Sequence, residues 1–190
     1  MVNTRKLADH YYVLGQLVHA VEMLVDSNLV YTILPEIRSN LVMARISAES
    51  IQQVAGIPGR LTEVFGRITA PAYPAWGASK NTSRILLSIM KHNPKVRAVM
   101  EIKYSAQIID LLKENNILCA ELIINGDNLG DLIKGTINDG VIPSIFYIQG
   151  GLAREGATIV TGKDAVTVAE TVIKIADLLN KDAKDTREDE

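Results

Sequence analysis

The chain has 190 residues, a formal net charge of −2, and a composition that is 47% hydrophobic and 22% charged. That length supports one well-buried core and is short for two. The near-neutral charge gives no global electrostatic ground for binding nucleic acid or a membrane surface.

The one cysteine, Cys119, sits in a largely apolar run. It can form no intrachain disulfide and reads as a small buried hydrophobe in a reduced compartment. No segment reaches the ~18 unbroken apolar residues of a membrane-spanning helix. Asn3, Thr4, Arg5 and Lys6 lead into an amphipathic stretch rather than a signal peptide, so a cytoplasmic location is expected.

In chain order, the first element is a helix. Leu7, Val13, Leu14, Leu17, Val18, Val21, Leu24 and Val25 recur at three- and four-residue spacing. Its apolar face could pack internally or form a dimer surface. An extended stretch, Leu29–Ile46, is broken by Pro35, and Ser47 is the expected N-cap of a short helix near Ala48–Val54. After Pro58-Gly59, residues Leu61–Thr69 read as one strand with a bend at Gly66. Ala70–Gly77 reads as a loop, and Ser79 as the N-cap of a helix running to about His92. Beyond Pro94, strands at Ala98–Lys103, Leu118–Ile124, Ser144–Ile148 and Ala157–Thr161 are expected. Helices at Ser105–Asn115, Leu129–Asn138 and Ala165–Leu179 separate or follow them. Such alternation gives a layered α/β domain. Lys181–Glu190 carries three basic and five acidic residues without a large hydrophobe, as in a solvated, disordered tail.

Chemistry concentrates in a few loops. Pro35-Glu36-Ile37-Arg38-Ser39-Asn40 places an acid, a base and an amide together, which by itself suits a surface turn with an ion pair. Gly56-Ile57-Pro58-Gly59-Arg60 sets an arginine after a tight turn, where its planar fork can meet phosphate or merely end a loop. The segment from Pro74 to Arg84 is more informative. The single tryptophan, Trp76, is followed by Gly77, Ala78 and Ser79 opening a helix, with Lys80, Asn81 and Thr82 in its first turn. A helix start offers unpaired N–H donors and partial positive charge, a ready anion site, although Ser79 could equally be a plain cap. The glycine-lysine spacing of a nucleoside-triphosphate loop is absent. Met100-Glu101-Ile102-Lys103-Tyr104 ends a strand with charged and phenolic groups. The loop 150–156 carries Arg154, which could close over an anionic ligand or merely turn the chain. His10, His19 and His92 show no metal-ligand spacing, and no Ser-His-Asp or Cys-His arrangement is indicated.

The order of these segments resembles the ThiN family of archaeal thiamine-phosphate synthase domains. An initial helix is followed by Pro-Glu-Ile-x-x-Asn, Ile-Pro-Gly-Arg, Gly-Ala-Ser opening a helix with Arg84, and Met-x-Ile-Lys-Tyr. The likeness is densest from Leu34 to Leu112 and collinear to about Leu179.

The resemblance implies a three-layer α/β/α fold like that of class II aldolases, with a mixed, largely antiparallel sheet. A single ThiN-like domain would occupy residues 1–180. The implied activity couples hydroxymethylpyrimidine diphosphate with hydroxyethylthiazole phosphate to give thiamine phosphate and pyrophosphate, with Mg²⁺ as the implied cofactor. Arg60 and Asn81 take the catalytic positions. Asn40, Gly59, Gly77, Ala78, Ser79, Arg84, Lys103, Tyr104 and Arg154 take substrate- and phosphate-binding ones.

The chain also departs from the family. Asn81 stands where a histidine is expected, and Glu101 where an asparagine is. An arginine-rich Phe-Asp-Arg-Arg segment is not recognisable around Glu121–Asn128, and the late Gly-Lys-Glu-Pro loop survives only as Ala153-Arg154-Glu155-Gly156. Asparagine can orient a phosphate but cannot shuttle a proton near neutral pH. The expectation is therefore a free-standing synthase supplied by a separate pyrimidine kinase. The alternative is a non-catalytic domain that binds thiamine phosphate as a sensor.

Overall fold

The chain is described by a computed structural model over residues 4–123, 133–136, 142–151 and 155–188. Helix α1 (Thr4–Asp26) leads, through a 3-10 turn at Val30–Ile33, to strands β1 (Leu41–Ala44) and β2 (Val54–Gly56). A hairpin of β3 (Thr62–Val64) and β4 (Arg67–Thr69) comes next, then the short β5 (Ala75–Trp76) and helix α2 (Lys80–Met90). Strand β6 (Ala98–Lys103), helix α3 (Ala106–Glu114) and strands β7 (Cys119–Glu121), β8 (Ile145–Ile148) and β9 (Ala157–Gly162) precede helix α4 (Ala165–Glu188).

Seven strands form one sheet in the order β5-β2-β1-β6-β9-β8-β7. Every pairing in it is antiparallel except β7 with β8. Strand–helix alternation alone suggests a parallel sheet; the mixed, largely antiparallel order matches the expectation drawn from the resemblance.

Two apolar layers flank the sheet. Alternation along β6 sends Met100 and Ile102 to one face, where they meet Leu17 and Leu24 of α1, Ile108 of α3 and Val172 of α4. Val99 goes to the other face, with Val42, Phe146 and the Leu86 and Ile89 side chains of α2. The layers are therefore helix, sheet, helix. The apolar stripe of α1 is consumed internally, with Val13, Leu17, Ala20 and Leu24 all fully buried. Among the described residues, no helix is long and apolar enough to cross a membrane.

Several local expectations change. Leu61–Thr69 is a two-stranded hairpin rather than one bent strand, because Phe65 and Gly66 both take positive φ, 50° and 74°, and reverse the chain. The short helix expected after Ser47 shrinks to a 3-10 turn at Ile51–Gln53. Its N-cap is Ser50, and Gln53 reaches back to the Glu49 and Ser50 backbone N–H groups. Part of the loop at Ala70–Gly77 pairs with β2 as the edge strand β5. Helix α4 runs past Leu179 to Glu188, into the charged segment expected as tail. Most of the helix expected at Leu129–Asn138 lies outside the described residues.

One polar cluster ties α1 to the sheet. Arg97 donates from Nη2 to Asp9 Oδ1 at 2.6 Å and from Nε and Nη2 to the Ala44 carbonyl. The Ile46 backbone N–H donates to Asp9 Oδ2 at 2.9 Å. Asp9 and Arg97 are only 11% and 14% exposed at the side chain. Removing one member of such a pair leaves the other charge uncompensated. Asp9→Ala is therefore expected to cost about 3 kcal/mol, checked by urea unfolding of wild type and variant.

Candidate functional site

A cleft of about 680 Å³ opens on the α2 side of the sheet, within the size range of small-molecule sites. Three segments far apart in sequence build it: the approach to β1 (Pro35, Ile37, Arg38, Asn40), the turn at Gly59 and Arg60, and the start of α2 (Ala78 to Thr82). Glu101 of β6 and the stretch Glu155–Ala157 complete the lining.

The first two segments are laced together. Ser39 and Leu61 exchange two backbone hydrogen bonds, at 3.2 and 2.8 Å. Asn40 is buried, donates from Nδ2 to the Ile57 carbonyl at 2.9 Å, and accepts from the Ile57 N–H at Oδ1 at 2.8 Å. Arg60 donates from Nη1 to the Ile37 carbonyl at 2.7 Å. Ser39 Oγ donates to the Glu101 carbonyl, joining the same loop to β6.

This lacing holds an unusual backbone. Arg38, Gly59 and Arg60 have φ of 70°, 81° and 68°. The left-handed region costs an L-residue roughly 1–2 kcal/mol, so two arginines there mark a shape imposed by their surroundings. Gly59 is required twice over: its φ is positive, and a Cβ would lie 2.8 Å from Pro71 Cγ. Both arginines line one cleft, where two planar forks suit phosphate oxygens.

The third segment is the start of α2. Ser79 sits at the N-cap with extended backbone, but its side chain makes no capping hydrogen bond. The first turn carries no acidic residue and includes Lys80. The free N–H groups and partial positive charge of the helix end therefore add to Lys80, facing the same cleft as the arginines.

Glu101 is the counterweight. Alternation along β6 puts it on the α2 face with Val99, and its Oε2 accepts from Thr82 Oγ1 at 2.8 Å. Burial pushes its carboxyl above the ordinary 4.5, opposed by the Thr82 hydrogen bond and the Arg60 charge. The folded state therefore holds this proton more tightly than the unfolded chain does. The associated stability is full below about pH 4.5 and is lost as pH rises through the folded pKa. Glu101→Gln removes that loss. The variant is expected to melt above wild type at pH 7, with the gap closing as pH falls to about 4; parallel melting curves across the pH range check this.

The structure brings Arg60, Asn81, Asn40, Gly59, Ala78 and Ser79 into one cleft lining, while other residues named from the sequence are engaged elsewhere or lie apart from it. Both ends of the Asn40 amide bind the Ile57 backbone, so Asn40 braces the arginine turn rather than presenting itself to phosphate. Gly77 has φ 71° but its N–H is spent on the Val54 carbonyl at 2.9 Å. It aims Ala78 and Ser79 without donating to a ligand. Arg84, one turn further along α2, is exposed and outside the lining. Lys103 lies two residues beyond Glu101 and does not reach the lining. Tyr104 packs into the opposite layer and stacks on Tyr147 with ring centroids 5.9 Å apart. Arg154 lies outside the described residues.

Sequence reasoning passed over Arg38, whose neighbours Glu36 and Ser39 suggest a plain surface turn. Glu36 instead donates its N–H to Glu155 Oε1 across the cleft mouth, and only the long-range pairing of Ser39 with Leu61 reveals what Arg38 faces.

A model of the family described as thiamine-phosphate synthase ThiN matches residues 16–174. The thiamine-phosphate synthase ThiN of Methanothermobacter thermautotrophicus is 32% identical over 167 residues, covering 82% of this chain and 88% of that protein. The bifunctional thiamine biosynthesis protein ThiDN of Methanocaldococcus jannaschii is 30% identical over 174 residues, covering 88% of this chain but 41% of that longer protein. Among solved structures, the C-terminal domain of protein MJ0236 superposes with a TM-score of 0.79 at 27% identity, covering 89% of this chain and 96% of that domain. By its sequence and its fold, the chain belongs to the ThiN thiamine-phosphate synthase family.

Proposed function

We propose that the chain is a working thiamine-phosphate synthase and that the cleft between the arginine turns and α2 is its active site. The observation that carries this reading is the pair of left-handed arginines, Arg38 and Arg60, facing a helix start across one cleft.

In the reaction, the C–O bond between the pyrimidine methylene and the diphosphate breaks, and its electron pair leaves with the diphosphate. The thiazole nitrogen lone pair then forms the new C–N bond. Positive groups fixed where the leaving charge develops lower that barrier. Arg38, Arg60, Lys80 and the α2 N–H groups are such a set, and the Arg60 guanidinium is anchored to the Ile37 carbonyl before substrate arrives. Asn81, in the first turn of α2, orients phosphate oxygens as a donor and supplies no proton transfer. Departure of a diphosphate to leave a cation depends mainly on electrostatics, so asparagine in place of histidine is compatible with turnover.

Mg²⁺ fits the donor set only as an ion carried on the diphosphate. Among the described residues, no group of three or more His, Cys, Asp or Glu side chains could hold a metal, and Mg²⁺ ordinarily keeps water and phosphate ligands beside one or two carboxylates. The exposed Glu155 at the cleft mouth, rather than Glu101 beneath α2, would hold it. Its contribution would be to neutralise charge on the departing diphosphate.

A kinase making the pyrimidine diphosphate is the proposed supplier. The relative named as a bifunctional thiamine biosynthesis protein, of which this chain spans 41%, fits a second activity supplied to this domain. Both relatives are biosynthetic proteins by name, so the sensing alternative is not favoured.

The test is to incubate the protein with Mg²⁺ and both phosphorylated precursors. Thiamine phosphate should accumulate with one pyrophosphate released per turnover. No product, alongside tight thiamine phosphate binding by calorimetry, would overturn the catalytic reading.

A further inference from the structure

Glu101 is unexpected in the inner part of a cleft that gathers Arg38, Arg60 and Lys80, the other lining carboxylate, Glu155, being exposed at its mouth. A carboxylate beside bound phosphate repels it, and the repulsion grows as water is excluded. Glu101 is also half-buried, so its ionised form forfeits hydration. The protein nevertheless holds it in place: Thr82 fixes Oε2, Ser39 fixes the backbone carbonyl, and pairing of β6 with β9 sets Glu101 opposite Ile159. The cleft is thereby polarised. Arg38, Arg60 and Lys80 form the cationic part, and Glu101, on the sheet beneath the start of α2, supplies inner negative charge.

Resting on the synthase reading above, we propose that Glu101 is the specificity-determining residue for the organic half of the substrate, a carboxylate that receives the aminopyrimidine. Two features of that ring match it. The exocyclic amine is a hydrogen-bond donor with no use for a second donor opposite, and a carboxylate is a pure acceptor. The ring also carries the positive charge that develops as diphosphate leaves, and a nearby carboxylate stabilises a cation in a site of low dielectric. Thr82 occupies one carboxylate oxygen, which fixes the orientation of the group, and no second hydroxyl or amide is bound to the other among the described contacts. Arg60 lies near enough to interact electrostatically with Glu101. The division between diphosphate on the arginines and ring on the carboxylate therefore falls within a single cleft.

The experiment separates the two halves of the substrate. Hydroxymethylpyrimidine, which lacks phosphate, and inorganic pyrophosphate, which lacks the ring, are titrated calorimetrically into wild type and Glu101→Gln. The expected result is about tenfold weaker binding of the pyrimidine to the variant, the loss of one charge-assisted hydrogen bond. Pyrophosphate should bind the variant as well as, or better than, wild type, because a repelling charge is gone.

Equal pyrimidine binding by the two proteins, or parallel loss of both ligands, overturns the proposal. Wild type that binds pyrophosphate but not the pyrimidine also overturns it while leaving the synthase site standing. Wild type that binds neither sinks both readings. A second measurement needs no variant: replacing the exocyclic amine by hydrogen removes the donor that the carboxylate accepts. Wild type should bind that analogue at least about tenfold more weakly than the amine, and equal affinity would overturn the assignment.

Discussion

Arg60→Ala is expected to lower turnover about a hundredfold while leaving the fold intact. Arg60 enters the cleft from a backbone with φ 68°, directly after Gly59 at 81°. Its guanidinium is anchored through Nη1 to the Ile37 carbonyl, leaving other N–H groups for the ligand. Alanine bears the same left-handed backbone cost as arginine, so its stability should change little. Arg60→Gly separates the two roles more sharply. It relieves roughly 1 kcal/mol of backbone cost, giving a protein that is at least as stable as wild type and equally inactive. Arg60→Lys keeps the charge but loses the planar fork, and should recover only part of the rate. A steady-state assay run beside thermal melts checks the series. Turnover within about twofold of wild type in Arg60→Ala would remove Arg60 from the machinery.

Asn40→Ala is expected to be the most destabilising change at the site. Its amide satisfies both the N–H and the carbonyl of Ile57, in a setting where Ile57 is fully buried and Asn40 is 3% exposed. Alanine leaves two backbone groups unpaired away from water, at a cost of about 2–4 kcal/mol. For a chain of this size that corresponds to a fall in Tm of roughly 5–15 °C. The turn that follows Ile57 carries Gly59 and Arg60, so the surviving folded protein should also bind pyrophosphate more weakly. Differential scanning calorimetry and a pyrophosphate titration below the variant's Tm measure both effects. A Tm within about 2 °C of wild type would show that water replaces the amide and that Asn40 is not the brace described above.

These two residues show how far the sequence could be read. Long periodic segments were legible: the repeat from Leu7 to Val25 matches α1, and the helix beginning at Ser79 and the strand Ala98–Lys103 lie where patterning puts them. Short or strained elements were not. Beta strand β5 has two residues, too few for any alternation. The β3–β4 turn uses Phe65 at φ 50° where Asn-Gly is the usual signal, so Gly66 alone marks a bend and the full hairpin signal is missing.

The site divides along the same line. The helix start and the Gly59-Arg60 turn announce themselves by local composition. Arg38 does not, because its importance comes from the pairing of Ser39 with Leu61, twenty-two positions on in the numbering. The sequence directs the Asn40 amide at phosphate, whereas both its ends bind the Ile57 backbone, since an amide suits a phosphate and a backbone peptide equally. Glu101 was visible as a charged residue at a strand end, but its direction toward α2 depends on the register of a sheet whose strand order local patterning does not give.

On the proposed function, the phosphate groups of the ligand lie between the arginine turns and the first turn of α2. A crystal structure of the protein with thiamine phosphate tests it most directly. The phosphate should lie within hydrogen-bond distance of Arg38 or Arg60 and of the N–H groups opening α2, with the aminopyrimidine toward Glu101. A phosphate bound elsewhere, with the cleft between Arg60 and Ser79 holding only solvent, would contradict it.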